Sequence, residues 1–98
     1  MKISILSIAV KDIELGQSFY EQQQQSLGIY FLDSIFSDID SLLIFAGVHQ
    51  QFFGYYRALS KRFPYAIYYK LNGEMIEIWR VLDYRQRPSK ITSFLKSQ

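Results

Sequence analysis

Apolar residues follow two different periods along the chain, and the change between them predicts its elements. Residues 2–8 alternate between apolar and polar, which predicts a short strand. From Ala9 the apolar residues recur at helical spacing, and a stronger helical stripe follows a break at Gly28. These stripes predict helices over 9–24 and 29–46, joined by a short turn into an antiparallel hairpin. The second stripe consists of Leu32, Ile35, Phe36, Ile39, Leu42, Leu43 and Ala46.

The second half of the chain predicts strands. Residues 55–60, 63–71 and 74–83 are rich in Tyr, Phe and Ile, which favour extended structure. Asn72-Gly73 lies between the last two runs and predicts a tight hairpin, because a type I′ turn needs positive φ at both central positions. From Pro88 to about Lys96, apolar residues on one side predict a short final helix.

The predicted turn fixes which residues pair across the hairpin. Counted from Asn72-Gly73, Leu71 pairs with Glu74 and Ile67 pairs with Ile78, and the mostly apolar face that contains the Ile pair is assigned to the helices. Arg80 falls on that face and is expected near its rim. The opposite face is expected to be half-exposed, with room for a partner, and it carries Tyr68, Met75 and Trp79.

The element order β-α-α-β-β-β, followed by a short C-terminal helix, predicts one α+β domain over residues 1–98. In this fold, a twisted antiparallel sheet packs on the helical hairpin. No run of 18 apolar residues predicts a membrane helix, and the Ser-interrupted N-terminus favours a strand over a signal peptide. The chain has no Cys, which fits a cytoplasmic protein and excludes disulfides and Cys-based metal sites.

Charge is distributed unevenly along the chain. Residues 1–49 carry two Lys and six acidic residues, a net charge of −4, whereas residues 50–98 carry nine Lys or Arg and three acidic residues, a net charge of +6. A basic half suits an anionic partner, either nucleic acid or an acidic protein surface. The same asymmetry also suits a merely solubilising surface, and charge alone does not separate these two interpretations.

Three segments, in order, resemble the RelE/ParE toxin superfamily of bacterial type II toxin–antitoxin systems. The segment KRFPYAIYY at 61–69 resembles the ParE-like branch, and VLDYRQRP at 81–88 is similar to the family's final strand and the basic turn after it. Phe19-Tyr20-Glu21 with Leu27-Gly28 is similar to its helix-hairpin junction. The resemblance covers nearly the whole chain and implies a RelE/ParE-like fold. It also implies a toxin of a plasmid stabilisation system, held inactive by a cognate antitoxin.

The resemblance implies two possible modes of action. RelE-like members cut messenger RNA on the ribosome, and ParE-like members inhibit DNA gyrase without catalysing a reaction. Leu59, Ala66 and Ile91 stand where the RNA-cutting members carry two cations and a terminal Tyr. Because catalytic groups that act as a unit fail together, a non-catalytic gyrase inhibitor is expected. The alternatives are an RNA-cleaving enzyme and a non-toxic homologue that only binds its partner.

The candidate site residues follow from these expectations. The basic residues expected to contact the target are Arg57, Lys61, Arg62, Arg85 and Arg87. Tyr68, Met75 and Trp79 are expected to contact the antitoxin. No catalytic residue, metal or cofactor is predicted, because His49 is the single His and is expected to be solvated in a loop. Direct nucleic-acid binding is possible but not favoured, and Tyr84 is interpreted as a rim aromatic rather than an acid.

Overall fold

The structure is a computed structural model that describes residues 1–97; Gln98, the last residue of the predicted domain, lies outside the described residues. The elements are β1 (Lys2–Ile5), α1 (Ser7–Gln23), α2 (Leu27–Asp40), α3 (Leu42–Phe45), β2 (Gln51–Phe52), β3 (Tyr55–Leu59), β4 (Tyr65–Asn72), β5 (Met75–Asp83) and α4 (Pro88–Lys96). The strands form one sheet in the order β1-β5-β4-β3-β2. The predicted α+β class and element order are confirmed, with β2 as an additional short strand.

The sheet is mixed rather than wholly antiparallel. Strands β3, β4 and β5 form the predicted antiparallel meander, and β1 joins it parallel to β5. A parallel neighbour needs a long crossover between the two strands. The helical hairpin and the first strands of the meander supply this crossover, so both helices are carried onto one face of the sheet.

The main core lies between the helical hairpin and that face. Ile35 and Phe31 of α2 are fully buried against Ile67, Tyr69 and other strand residues. The two helices approach closely at Gly16, where an added Cβ would lie 2.5 Å from the ring of Phe31. The glycine that weakens the α1 pattern in the sequence therefore makes room for an aromatic ring of α2.

The predicted hairpin register was wrong, although the face assignment survives. Asn72 pairs with Met75, so the two central turn residues are Gly73 and Glu74 rather than Asn72 and Gly73. Of these residues, only Gly73 has a positive φ, of +60°, as in a type II′ turn with Gly at the first central position. Leu71 therefore pairs with Ile76 instead of Glu74, a shift of two residues along β5. Because side chains alternate with a period of two, this shift leaves them on their predicted faces.

A β-bulge on β5 changes the register again. Tyr69 pairs with Ile78 and Tyr68 pairs with Arg80, so Trp79 has no partner in the ladder. An unpaired residue reverses the alternation of the strand beyond it. Arg80 is consequently placed opposite Tyr68, on the second face rather than the predicted apolar face. It is buried there, at the part of β5 that extends beyond the end of β1.

The second face of the sheet is covered by α4, whereas it was expected to be half-exposed with room for a partner. Helix α4 packs Leu95 against Tyr55, Ala66, Tyr68 and Leu82 in a second buried cluster. Tyr68 is only 2% exposed. The apolar side of the predicted final helix faces this cluster, and its burial explains why that side of the strands is aromatic.

The predicted helix over 29–46 is divided at Ser41. The Ser41 hydroxyl donates to the carbonyl of Asp38 at 2.6 Å, and α2 ends at Asp40 before the short α3 begins. Two of the residues predicted in the buried stripe, Phe36 and Leu43, are exposed. The buried stripe is narrower than the apolar pattern predicts, because exposed apolar residues also occupy positions beside the buried line of Ile35, Ile39 and Leu42.

Candidate functional site

The predicted basic cluster comes together at one end of the sheet. Lys61 and Arg62 lie in the loop between β3 and β4, and Arg85 and Arg87 follow the end of β5. The two segments are adjacent, because the N–H of Tyr84 donates to the carbonyl of Pro64 at 3.0 Å. Since β3 ends, β4 begins and β5 ends at the same end of the sheet, antiparallel pairing alone accounts for this juxtaposition.

Arg57 is held between aromatic rings on the second face. Its Nε donates to the hydroxyl of Tyr68 at 3.2 Å. Its guanidinium carbon lies 5.3 Å from the ring centroid of Phe52 and 5.7 Å from that of Tyr84. Both distances are within the range of cation–π attraction, so Arg57 is fixed in position while it keeps its charge.

Arg85 is neutralised locally. It forms a bidentate pair with Asp83, with nitrogen–oxygen distances of 3.1 and 2.7 Å. Burial opposes ionisation of Asp83, but the hydrogen bonds and charge of Arg85 outweigh it and hold the pKa of Asp83 below its usual value. Arg85 therefore contributes less free positive charge to the cluster than the sequence suggests.

Lys61, Arg62 and Arg87 carry the accessible charge. All three are exposed. The ion pairs found among residues 1–97 involve the N-terminus with Glu74, Arg80 with Asp12, and Arg85 with Asp83, so none of these three cations is paired. The basic cluster therefore consists of three exposed cations, of Arg57 held between two aromatic rings, and of Arg85 paired with Asp83.

One cavity lies on the second face and another lies at the edge of the sheet. The first, of about 440 Å³, lies between helix α4 and Arg57 with its two neighbouring rings. Phe53, Gln86 and Ile91 are among its lining residues. The other, of about 390 Å³, is a groove between α1 and the free edge of β5, lined by Leu15, Phe19, Val81, Phe94 and others. The first combines a cation with aromatic faces, whereas the second sets the charged side chains of Asp12, Arg80 and Asp83 beside its apolar residues.

His49 is not solvated as predicted, and it lies on the side of the sheet opposite Arg57. Its Nδ1 lies 2.5 Å from the hydroxyl of Tyr69, which also accepts from the N–H of Gly47 at 2.9 Å. Tyr69 belongs to the helix-side core, whereas Tyr68, the partner of Arg57, belongs to the second cluster. Burial lowers the pKa of His49, so the neutral form that accepts the Tyr69 proton is favoured.

Several acidic residues of the N-terminal half serve the fold rather than a partner. The buried Asp38 accepts from the hydroxyl of Ser60 and the N–H of Lys61, which anchors the basic loop to α2. Glu21 accepts from the N–H of Ser26, just before α2, and from the N–H of Gly28 in the first turn of α2. Within residues 1–97, no group of three His, Cys, Asp or Glu side chains is arranged to hold a metal ion.

Of the residues predicted to contact an antitoxin, Met75 and Trp79 are partly exposed and Tyr68 is buried. Lys70 lies over the ring of Trp79 at 4.8 Å and over that of Tyr55 at 4.6 Å. The ammonium group thus covers part of the aromatic surface that was expected to be half-exposed.

The sequence prediction missed a buried ion pair between α1 and β5. Asp12 accepts from Arg80 Nε at 2.7 Å, from Arg80 Nη2 at 2.9 Å and from the N–H of Val81 at 3.0 Å. The carboxylate occupies the edge of β5 beyond the end of β1. The sequence contains one indication of this pair, because Arg80 falls on a face that is otherwise mostly apolar and a buried Arg needs a carboxylate partner. Periodicity alone could not identify Asp12 as that partner.

Comparisons with known proteins give the class of fold. No family model matches the sequence, and no curated protein matches it. Among the solved structures, a chain described as "Chromosomal ParDE TA system from P. aeruginosa" is similar, where TA denotes toxin–antitoxin. The TM-score is 0.74 and the identity is 16%, over 83% of this chain and 92% of that chain.

This likeness confirms the resemblance at the level of fold: the chain has a RelE/ParE-like architecture. At this level of identity, fold carries no assignment of activity. Within residues 1–97, no helix is both long and apolar enough to span a membrane.

Proposed function

We propose that this chain is the toxin of a toxin–antitoxin pair. In this proposal it is a cytoplasmic, ParE-like protein that inhibits DNA gyrase by binding and is neutralised by a cognate antitoxin. The fold likeness to a chain of a ParDE system supports the toxin-like role. The choice of gyrase rests on the resemblance of residues 61–69 to the ParE-like branch. The observation that carries the non-catalytic mode is the separation of His49 from the basic end of the sheet.

Cleavage of RNA by attack of a 2′-hydroxyl needs groups that move protons beside the cations. The guanidinium groups near the cavity stay protonated at neutral pH and supply neither a base nor an acid. His49, in the loop after α3, is bonded to Tyr69, which belongs to the helix-side core. Ala66 is fully buried, and Leu59 offers no charge. Binding without proton transfer forfeits roughly 10²–10⁴ in rate, which favours a binding mode of action.

The test follows DNA supercoiling and ribosome-dependent cleavage of messenger RNA together, with purified antitoxin-free protein. We expect inhibited supercoiling and intact RNA. Lys61→Glu with Arg62→Glu should weaken the inhibition by about tenfold, because charge reversal at an interface opposes binding. Lys2→Glu with Lys11→Glu makes the same change in net charge on exposed residues elsewhere and should leave the inhibition unchanged. Normal supercoiling together with intact RNA would contradict both modes of action and would favour a non-toxic homologue that only binds its partner.

One feature favours RNA cleavage as a second candidate function. The cavity beside Arg57 places the ring of Tyr84 next to a fixed guanidinium, with Phe52 on the other side. Aromatic faces beside a cation suit an unpaired base and its phosphate. Site-specific cleavage that is lost in Tyr84→Phe, a variant that keeps the ring and removes the hydroxyl, would replace the gyrase proposal with this one.

The antitoxin is proposed to contact Met75 and Trp79 on the second face. Tyr68, the third predicted contact, is buried beneath α4, so it cannot contribute while α4 stays in place. Trp79→Ala should weaken the complex by about 2 kcal/mol if this ring is an anchor. Phe45→Ala removes an exposed ring from α3 and serves as the control. An unchanged dissociation constant for Trp79→Ala would remove the ring from the interface.

A further inference from the structure

Helix α2 carries an apolar stripe on the side that faces away from the sheet. Ile29, Phe36 and Leu43 follow one another at seven-residue intervals and are 56%, 40% and 51% exposed. Residues seven apart on a helix lie almost in line, with a drift of about 20° per heptad. The stripe reaches into α3 because Ser41 keeps helical dihedral angles and its N–H donates to the carbonyl of Ser37 at 3.1 Å.

Acidic residues accompany the stripe at the same interval. Asp33 and Asp40 are exposed and also lie seven residues apart, between successive apolar positions. Neither takes part in the three ion pairs found among residues 1–97. In contrast, Asp12 and Asp38 are buried and accept hydrogen bonds within the fold. The two carboxylates beside the stripe therefore have no role in the internal hydrogen bonds that hold this fold.

The core does not need the stripe. The side of α2 that faces the sheet already buries Phe31, Ile35 and Ile39 almost completely. Single exposed apolar side chains are ordinary on protein surfaces, but an aligned series of them is typical of a contact surface. Ile44, next to the end of the stripe, is 80% exposed and extends it.

We propose that the outer stripe of α2 and α3, formed by Ile29, Phe36 and Leu43 with Asp33 and Asp40, binds a cationic amphipathic helix of a partner protein. A seven-residue repeat of apolar positions is complementary to another helix, whose side chains fit between those of the stripe. Lys or Arg residues beside the apolar positions of the partner would face the two carboxylates. This proposal does not depend on the proposed toxin function.

A second copy of the chain is a poor occupant of the same stripe. In a parallel pair, Asp33 would face Asp33, and in an antiparallel pair Asp33 would face Asp40. Like charges across a helix pair oppose association and select against that partner. The charge of the stripe thus separates a cationic partner from self-association.

The experiment uses the whole protein and a labelled helical peptide of three heptads. The peptide carries Leu at every seventh position and Lys beside each Leu, and a second peptide carries Glu in place of Lys. Binding is followed by fluorescence anisotropy. Because the protein has a net charge of +2, general attraction does not favour the Lys peptide. We expect the Lys peptide to bind about tenfold more tightly than the Glu peptide.

Substitutions locate the binding site. Asp33→Lys with Asp40→Lys should reverse the preference, whereas Glu14→Lys with Glu74→Lys, an equal change in net charge at exposed sites elsewhere, should preserve it. Phe36→Asp should weaken binding of the Lys peptide by about tenfold, with the circular dichroism spectrum checking that the fold is intact. Equal binding of the two peptides, or reversal by the control pair, would overturn the proposal. Self-association that Phe36→Asp abolishes would assign the stripe to a second copy instead.

Discussion

The two faces of the sheet are closed in different ways. Against the helical hairpin, fifteen buried residues form one continuous core, within which rings such as Phe31, Phe63 and Tyr65 pack edge to face. Against α4, the buried cluster has five residues, and Lys70 and Lys96 lie over the rings of Tyr55 and Phe53. Exposed cation–π contacts contribute only about 0.5–1 kcal/mol each, so the second face is held less firmly.

Arg80 shows how the two faces are joined. Its guanidinium pairs with Asp12 of α1 and lies 4.9 Å from the ring centroid of Phe94 in α4. One side chain at the edge of β5 therefore contacts both covering layers. The difference between the faces indicates that the hairpin side supplies most of the buried core, whereas the α4 side has a smaller core and a cavity beside Arg57.

The largest effect is expected from breaking this link. Asp12→Ala leaves the buried Arg80 without its carboxylate and should lower the free energy of unfolding by about 3–5 kcal/mol. Chemical denaturation followed by circular dichroism measures the change. A loss below about 1 kcal/mol would mean that water or another group replaces Asp12 and that the pair does not join the two layers.

A matched pair of truncations compares the faces directly. Ile35→Ala on the hairpin side should lower the free energy of unfolding by about 4 kcal/mol, whereas Leu95→Ala beneath α4 should lower it by about 2 kcal/mol. Both side chains are buried, so the difference reflects how far the surroundings can collapse. Equal losses would contradict the comparison, as would slower hydrogen exchange in α4 than in α2.

The acid sensitivity of the hairpin side should depend on His49. Burial lowers its pKa in the folded state below the unfolded value of about 6.5, so the unfolded chain takes up the proton more readily. Stability is therefore retained above about pH 6.5 and is lost as the pH falls through the folded pKa. His49→Gln should remove this part of the pH dependence in denaturation curves recorded between pH 7 and 5. An identical slope in the variant would place the titrating group elsewhere.

The smallest effect is expected on the α4 side, at the ion pair of Arg85 with Asp83. Arg85 is largely exposed, and exposed pairs contribute about 0–1 kcal/mol, so Arg85→Ala should change the free energy of unfolding at pH 7 by about 0.5 kcal/mol. Because Arg85 holds the pKa of Asp83 low, the variant should also lose less stability than the wild type on acidification below about pH 4. A loss as large as that of Asp12→Ala would show that exposure does not distinguish the two pairs.

The sequence by itself determined the order of the elements and the side of each that is buried. The change from helical to alternating spacing predicted the hairpin of helices and the meander. Ile67 and Ile78 are buried as expected, because a shift of two residues in register leaves a side chain on its face. The grouping of Lys61 and Arg62 with Arg85 and Arg87 also follows from strand order alone, since antiparallel neighbours bring those loops to one end.

Only the tertiary structure decided the relations that single strands and helices do not encode. The bulge at Trp79 moves Arg80 to the other face of the sheet, and a regular two-residue alternation cannot anticipate an unpaired residue. Asp12 and Arg80 are 68 residues apart, so their pairing depends on where β1 stops and α1 begins to cross the edge of β5. The burial of Tyr68 depends on the docking of α4. Local periodicity reports which side of an element is apolar, but the packing of distant elements selects what covers it.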